Sequence, residues 1–178
     1  VTLAAWCAYH GLESTPVVVR DDSEAIRAHL LEALVANDAI VTSGGAWRGE
    51  RDLVVRLLDR LGWQKVYHEV KMGPGKAVAF GLWQGKPVFC LPGGPPSNQM
   101  AFLQLALPGL LQLAGRREPP LPEAVATLVE GVAGQRDWTQ FVGGRLERTP
   151  EGLRFSPLKM ASRLQAMAHA EGFIAIPE

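Results

Sequence analysis

The sequence lacks net charge: its 18 Lys and Arg residues balance 18 Asp and Glu. That argues against a general nucleic-acid or anionic-membrane partner, and it makes any anion site a local feature. Cysteine is scarce. Cys7 and Cys90 stand far apart in apolar stretches, and they read as reduced core thiols of a cytoplasmic protein, with a disulfide or metal site as the alternative. No apolar run reaches the ~18 residues of a membrane-spanning helix. The start, Val1-Thr2-Leu3-Ala4-Ala5-Trp6, has no basic segment and no Met, so it reads as helix rather than signal peptide. A Walker loop and a nucleophile elbow are both absent. His10, His29, His68 and His169 show no ligand spacing, and the five tryptophans are scattered, as packing residues are.

What is present is alternation. Leu3, Trp6, Cys7 and His10 recur at helical spacing, with Gly11 as a stop. Residues 16–20 are β-branched and predict a strand. Asp21-Asp22-Ser23 then offers capping oxygens to a helix with Ile26, Leu30, Leu31 and Leu34 on one face. Residues 39–42 predict a strand, 52–61 a helix, and 66–70 a strand. Residues 78–83 and 87–91 predict a hairpin, and 97–113 a long apolar helix. Strands alternating with helices predict an α/β fold, a three-layer α/β/α domain with a mostly parallel sheet. The Pro-rich run at 115–122 reads as a linker. Beyond it, strands at 124–132, 141–147, 153–158 and 173–176, with a helix or turn at 162–170, predict a small C-terminal β domain. The expected division is 1–116 and 117–178.

In an open α/β sheet, ligands bind outside the carboxyl ends of the strands, and three loops fall there. Ser43-Gly44-Gly45 leads to Gly49-Glu50-Arg51-Asp52 at a helix start, where glycine permits close approach and free N–H groups favour anions. Asp52 reads either as a helix-dipole partner or as a Mg²⁺ anchor, and Asp21-Asp22 carries the same ambiguity. Lys71-Met72-Gly73-Pro74-Gly75-Lys76 sets two lysines about a rigid turn, suited to an oxyanion or to a solvated strand start. Leu91-Pro92-Gly93-Gly94-Pro95-Pro96-Ser97 is either a phosphate cradle or a plain helix start capped by Ser97.

Taken in order, Ser43-Gly44-Gly45-Ala46-Trp47-Arg48-Gly49-Glu50-Arg51-Asp52, Gly73-Pro74-Gly75-Lys76-Ala77 and Leu91-Pro92-Gly93-Gly94-Pro95-Pro96-Ser97 resemble the molybdopterin molybdenumtransferases of the MoeA/gephyrin family. So does the tail from Met160-Ala161-Ser162-Arg163-Leu164 to Gly172-Phe173-Ile174, which is similar to the family's C-terminal β domain. The resemblance implies binding of adenylylated molybdopterin and molybdate, use of Mg²⁺, insertion of molybdenum and release of AMP, in a homodimer with further domains. It also implies that the chain begins inside the first helix of its domain, with a preceding strand and a last β-domain strand outside it. By matching position, Asp52 would hold the metal, with Asp21 or Asp22 as the second acidic residue. Lys76 would contact molybdate or phosphate. Ser97 would meet the pterin phosphate region, and Ser162 would lie near molybdate. Ser43, Gly44, Gly45, Gly75 and Gly93 would line the substrate site.

Several positions depart from the family pattern. Trp47 replaces a serine, Gly73 a basic residue, Ala77 a proline and Gly94 an asparagine, and Gly143 stands at an arginine position. Loss of two cations and a hydroxyl weakens the site for dianionic molybdate, with Lys71 or Arg48 as the available compensation. Two other readings stand beside the transferase: a catalytically silent molybdopterin-binding or scaffolding homologue, and a molybdopterin adenylyltransferase.

Overall fold

A computed structural model describes residues 2–47, 53–160 and 162–177. The chain forms two compact units, Val1–Val70 with Gly75–Pro120, and Lys71–Pro74 with Leu121–Glu178.

In the first unit, helices α1 (Thr2–Tyr9) and α2 (Ser23–Ala36) precede strand β1 (Ile40–Ser43). Helix α3 (Leu53–Arg60) and strand β2 (Gln64–His68) follow. Two-residue strand β3 (Met72–Gly73) belongs to the second unit. Strands β4 (Ala79–Trp83) and β5 (Lys86–Leu91) form the expected hairpin. Helix α4 (Pro95–Ala101) runs through a π-helical turn, Phe102–Ala106, into α5 (Leu107–Leu113). Pro108 explains that turn, because it brings no N–H to the carbonyl one turn earlier.

The α/β class is as the sequence predicts. The sheet order is β1-β5-β4-β2; β1, β5 and β2 run the same way and β4 alone is reversed, so among the described strands one adjacent pair is parallel and two are antiparallel. The tight turn between β4 and β5 forces the reversal, and β2 on the far side of β4 returns to the common direction. Residues 16–20 form no strand. Val18 is fully exposed, and β-branched residues favour an extended backbone without supplying the pairing partner a strand needs.

Alternation on β5 explains the layers. Val88 and Cys90 face a core built from Leu30 and Leu34 of α2 and Val55, Leu57 and Leu58 of α3, with Trp63, Ala79 and Trp83. Phe89 points the other way. Its ring packs on α5, where a Cβ on Gly109 would come within 2.9 Å of it. Phe80 stacks beside Phe89 and Tyr67 beside Phe80, at 4.8 and 5.6 Å between ring centres, across neighbouring strands.

Local signals hold the helix ends. Asp22 caps α2 by accepting from the Ala25 N–H at 2.9 Å. Lys86 closes the other end, donating to the Leu34 and Asn37 carbonyls at 2.7 and 2.8 Å. Helix α1 ends in a Schellman turn: Gly11 has φ of 64°, Gly11 N–H donates to Ala8, and Leu12 N–H to Cys7. After α3, Asp59 accepts from the Trp63 indole at 2.8 Å and from Lys65 at 3.0 Å. Partial burial works to raise the Asp59 pKa, but these two donors outweigh it and hold the carboxyl below its usual range.

In the second unit, β7 (Thr139–Thr149) pairs antiparallel with β8 (Gly152–Pro157) and with β9 (Gly172–Ile176). Short β6 (Thr127–Leu128) adds to β8, and β3 pairs parallel with β7. Helix α6 (Arg163–His169) precedes β9. Of the strand predicted at 124–132, only β6 forms. Its residues are exposed, and Val125 is 97% exposed, so little burial supports a longer one. Gly144 pairs with both Pro157 and Gly172, and the Phe155 ring lies against its Cα hydrogens, where a Cβ would overlap it.

Two stability predictions follow from close approaches. A Cβ on Gly81 would meet the Gln64 carbonyl at 2.6 Å and the Trp63 ring at 2.7 Å, whereas one on Gly94 would meet nothing within 4 Å. Gly81→Ala should cost about 1–3 kcal/mol in urea titrations, and Gly94→Ala less than about 0.5 kcal/mol; equal costs would refute the packing argument. Asp59 has a depressed folded pKa, so its contribution is present above the unfolded carboxylate value and is lost as pH falls through the lower folded value. Asp59→Asn should flatten the decline of thermal stability below roughly pH 4.

Candidate ligand site at one end of the first sheet

One register row crosses the whole four-stranded sheet. Thr42 pairs with Cys90, Cys90 with Ala79, and Ala79 with His68. Beyond that row β1 leaves through Ser43-Gly44-Gly45 and β5 through Leu91-Pro92-Gly93-Gly94. The chain enters β4 from Lys76-Ala77-Val78, and β2 ends at His68. Parallel β1 and β5 therefore release their glycine loops side by side, which is where ligands of α/β sheets bind. Cys90 lies in that row with its thiol pushed up to about 12 by burial, so it is a core group and not a thiolate nucleophile.

Asn98 fastens the two loops. It is the buried polar side chain of the described core. Its Nδ2 donates to Ser43 Oγ at 3.1 Å and to the Pro92 carbonyl at 2.8 Å. Gly44 N–H donates to the Leu91 carbonyl at 2.9 Å. A Cβ on Gly93 would lie 3.6 Å from Gly44 Cα. Because Ser43 accepts from Asn98, its own hydroxyl proton is left to donate outward, and the residue is exposed. The cap of α4 is Gly94, with Pro95 and Pro96 next. Ser97 is thus the third helical residue and not the cap. The prolines bring no N–H, and the Asn98 N–H is used on the Gly94 carbonyl at 2.8 Å. This helix start can offer an anion the Ser97 N–H and hydroxyl rather than a row of amides.

Gly45 is required twice over. Its φ is 72°, and a Cβ there would come within 2.6 Å of Val54 Cγ2. Next to it, Ala46 is 1% exposed, and its carbonyl accepts from His68 Nε2 at 2.7 Å, which assigns the proton to that nitrogen. Trp47 then emerges 51% exposed. Lys76 Nζ lies 5.6 Å from the centre of its ring and 3.9 Å from a Glu69 carboxylate oxygen. Glu69 has φ of 70°, held by Glu69 N–H to the Val78 carbonyl at 2.8 Å and Val70 N–H to Lys76 at 3.1 Å. A non-glycine residue in that conformation is a mark of functional or turn geometry.

Ser43, Gly44, Gly45, Gly75, Lys76, Gly93 and Ser97 all belong to the first unit, and the contacts above tie the loops that carry them to one end of its sheet. Asp21 belongs to the same unit, exposed beside the Asp22 cap, whose carboxylate is engaged by α2; none of the contacts above ties it to the strand ends. Ser162 belongs to the second unit, where it precedes α6 without a side-chain cap bond. Lys71 and Gly73 belong to that unit as well, so the run 71–76 is divided between units. Asp52 and Arg48 lie outside the described residues. Among the described residues no three His, Cys, Asp or Glu side chains gather as a metal site.

Sequence reading missed Asn98, His68 and Glu69. Asn98 carried a signal, being a polar residue in an apolar helix. His68 and Glu69 carried none, because their roles depend on which strand ends meet.

Strand-end glycine loops, a serine hydroxyl held by a buried amide and a lysine at the same strand ends form a candidate ligand site on an α/β domain. The chain belongs to the family of molybdopterin-binding domains: the family model described as "Probable molybdopterin binding domain" matches residues 1–112. Its likeness within that family is to the MoeA-type proteins. A Methanocaldococcus jannaschii protein named for molybdopterin biosynthesis is 30% identical over 161 residues, 90% of this chain and 37% of its own length. The molybdopterin molybdenumtransferase of Staphylococcus aureus is 24% identical over 89% of this chain and 38% of its own. The solved molybdopterin biosynthesis MoeA protein of Pyrococcus horikoshii matches with a TM-score of 0.79 and 32% identity, over 99% of this chain and 42% of that one. A solved molybdenum cofactor biosynthesis protein B shares the fold over 64% of this chain, at a TM-score of 0.51 and 22% identity. The chain thus spans about two fifths of the length of its longer relatives.

Asn98→Ala should cost about 1–3 kcal/mol, because it strands the buried Pro92 carbonyl. It should also speed hydrogen exchange at the Gly44 amide while leaving amides of β8 unchanged. Unchanged Gly44 exchange would show that the amide does not hold the two loops together.

Proposed function

We propose that this chain contributes the substrate site of a molybdopterin molybdenumtransferase. Its ligand is adenylylated molybdopterin, molybdate is the second substrate, and AMP is released. The observation that carries this reading is the fastening of the Ser43 loop to the Leu91–Gly94 loop through Asn98, with Lys76 at the same end of the sheet. Glycines there let a phosphate approach the backbone, and the Ser43 and Ser97 hydroxyls can donate to it. Lys76 supplies the positive charge. The likeness to the MoeA protein over 99% of the chain, and to a molybdopterin molybdenumtransferase over 89% of it, favours the transferase.

Mg²⁺ belongs to this reading. Such sites take one or two carboxylates and complete their shell with water and substrate phosphate. Asp52 and Asp21 are the carboxylates proposed for it. A cytoplasmic homodimer is part of the same proposal. No described helix is long and apolar enough to cross a membrane.

A silent molybdopterin-binding homologue is the second reading, and one contact favours it: Glu69 already shares the charge of Lys76. The deciding assay supplies adenylylated molybdopterin, molybdate and Mg²⁺ to the full-length protein. Release of AMP together with active cofactor supports the transferase; tight binding without AMP supports the silent homologue. Asp52→Asn should bind substrate in the absence of Mg²⁺ like wild type and lose the Mg²⁺-dependent release of AMP. Wild-type Mg²⁺ dependence in that variant would make Asp52 structural.

A further inference from the structure

The described tryptophans of the first unit are not alike. Trp63 and Trp83 are 6% and 2% exposed and fill the core. Trp47 is 51% exposed, yet the backbone beside it is fixed. Ala46 is buried, and its carbonyl is gripped by His68. Gly45 is wedged on Val54. An indole left half in water on an anchored loop is a poor use of apolar surface for folding. It is a good use for binding, because the anchored backbone that precedes the indole leaves less main-chain freedom to be lost. A cation stands with it. Lys76 Nζ, 5.6 Å from the ring centre, is within cation–π range and is steadied by Glu69. Ring and cation both lie at the strand ends that carry the Ser43 hydroxyl and the two glycine loops.

We propose that Trp47 is the specificity-determining residue of this site: its indole stacks on the planar heteroaromatic ring of a phosphate-bearing ligand while Lys76 meets the anionic group. The inference rests on the ligand-site reading above and adds the ring-recognising residue. Adenine and pterin rings share the required chemistry, a flat heteroaromatic face that can stack on an indole. Lys76 then has two duties, since an arriving anion draws it from Glu69 without moving it out of reach of the indole.

The test is titration calorimetry of the full-length protein with three probes: AMP, pterin-6-carboxylate and inorganic phosphate. Stacking by one ring predicts a loss of about 5- to 100-fold in affinity for a ring-bearing probe in Trp47→Ala. Trp47→Phe should restore most of it, and phosphate binding should stay within about twofold in both variants. Loss for AMP alone or for the pterin alone supports the proposal and names the ring. If Trp47→Ala binds all three probes as wild type does, the stacking role is wrong and the site reading survives. If wild type binds none of them, the site reading and the stacking role both fall. Thermal unfolding of Trp47→Ala at the wild-type temperature confirms that the loss is not misfolding.

Discussion

The candidate site depends on one buried amide. Burying a polar side chain is unfavourable unless its hydrogen bonds are made. Asn98 makes them by giving its two amide protons to two different loops, the Ser43 hydroxyl after β1 and the Pro92 carbonyl after β5. The chain segments concerned are 55 and 6 residues away in sequence. The same bond also sets the polarity of Ser43. A hydroxyl that accepts from inside must donate outside, so a packing requirement of the core becomes a directed donor at the surface.

Charge at the site is arranged with similar economy. Lys76 does not stand alone in the contacts described: Glu69 lies 3.9 Å away and the Trp47 ring beneath. Holding Glu69 there requires a backbone conformation that costs a non-glycine residue of order 1 kcal/mol or more, and two backbone hydrogen bonds maintain it. The pair is part exposed, so water screens it and its net attraction is small. A weak internal partner keeps the lysine oriented but replaceable, as the proposed exchange of a carboxylate for a phosphate requires. A buried, tight pair would hold the lysine too firmly to make that exchange.

Much of the fold was legible because its signals are local. Asp22 as cap, Gly11 as stop, the Gln84-Gly85 turn of the hairpin and the apolar helix after Pro95 and Pro96 each rest on residues a few positions apart. The reversal of one strand, β4, was less legible. Alternating helices and strands imply a parallel sheet only when a helix separates each adjacent pair, and β4 and β5 are adjacent without one. Residues 16–20 misled for a related reason: β-branched composition reports backbone preference, whereas a strand also needs a neighbour. At the site, the glycine loops could be read from their residue types. Their mutual contact could not, because it runs through the register row Thr42, Cys90, Ala79 and His68.

The departures from the family pattern divide by the same physical test. At Gly73 and Gly94 a side chain would meet nothing within 4 Å, so packing in this chain does not require glycine there. At Gly143 a Cβ would come within 3.1 Å of Ala170 Cβ, at the end of α6. There the strand and the helix end have closed onto the space an arginine would need, so the second unit is packed around the smaller residue. Trp47 is a third kind, a departure that adds a large surface instead of removing a group. In the first unit the open position at Gly94 and the exposed ring of Trp47 stand with a serine, a lysine and glycine loops that match the pattern; in the second, Gly73 leaves space and Gly143 is closed by packing.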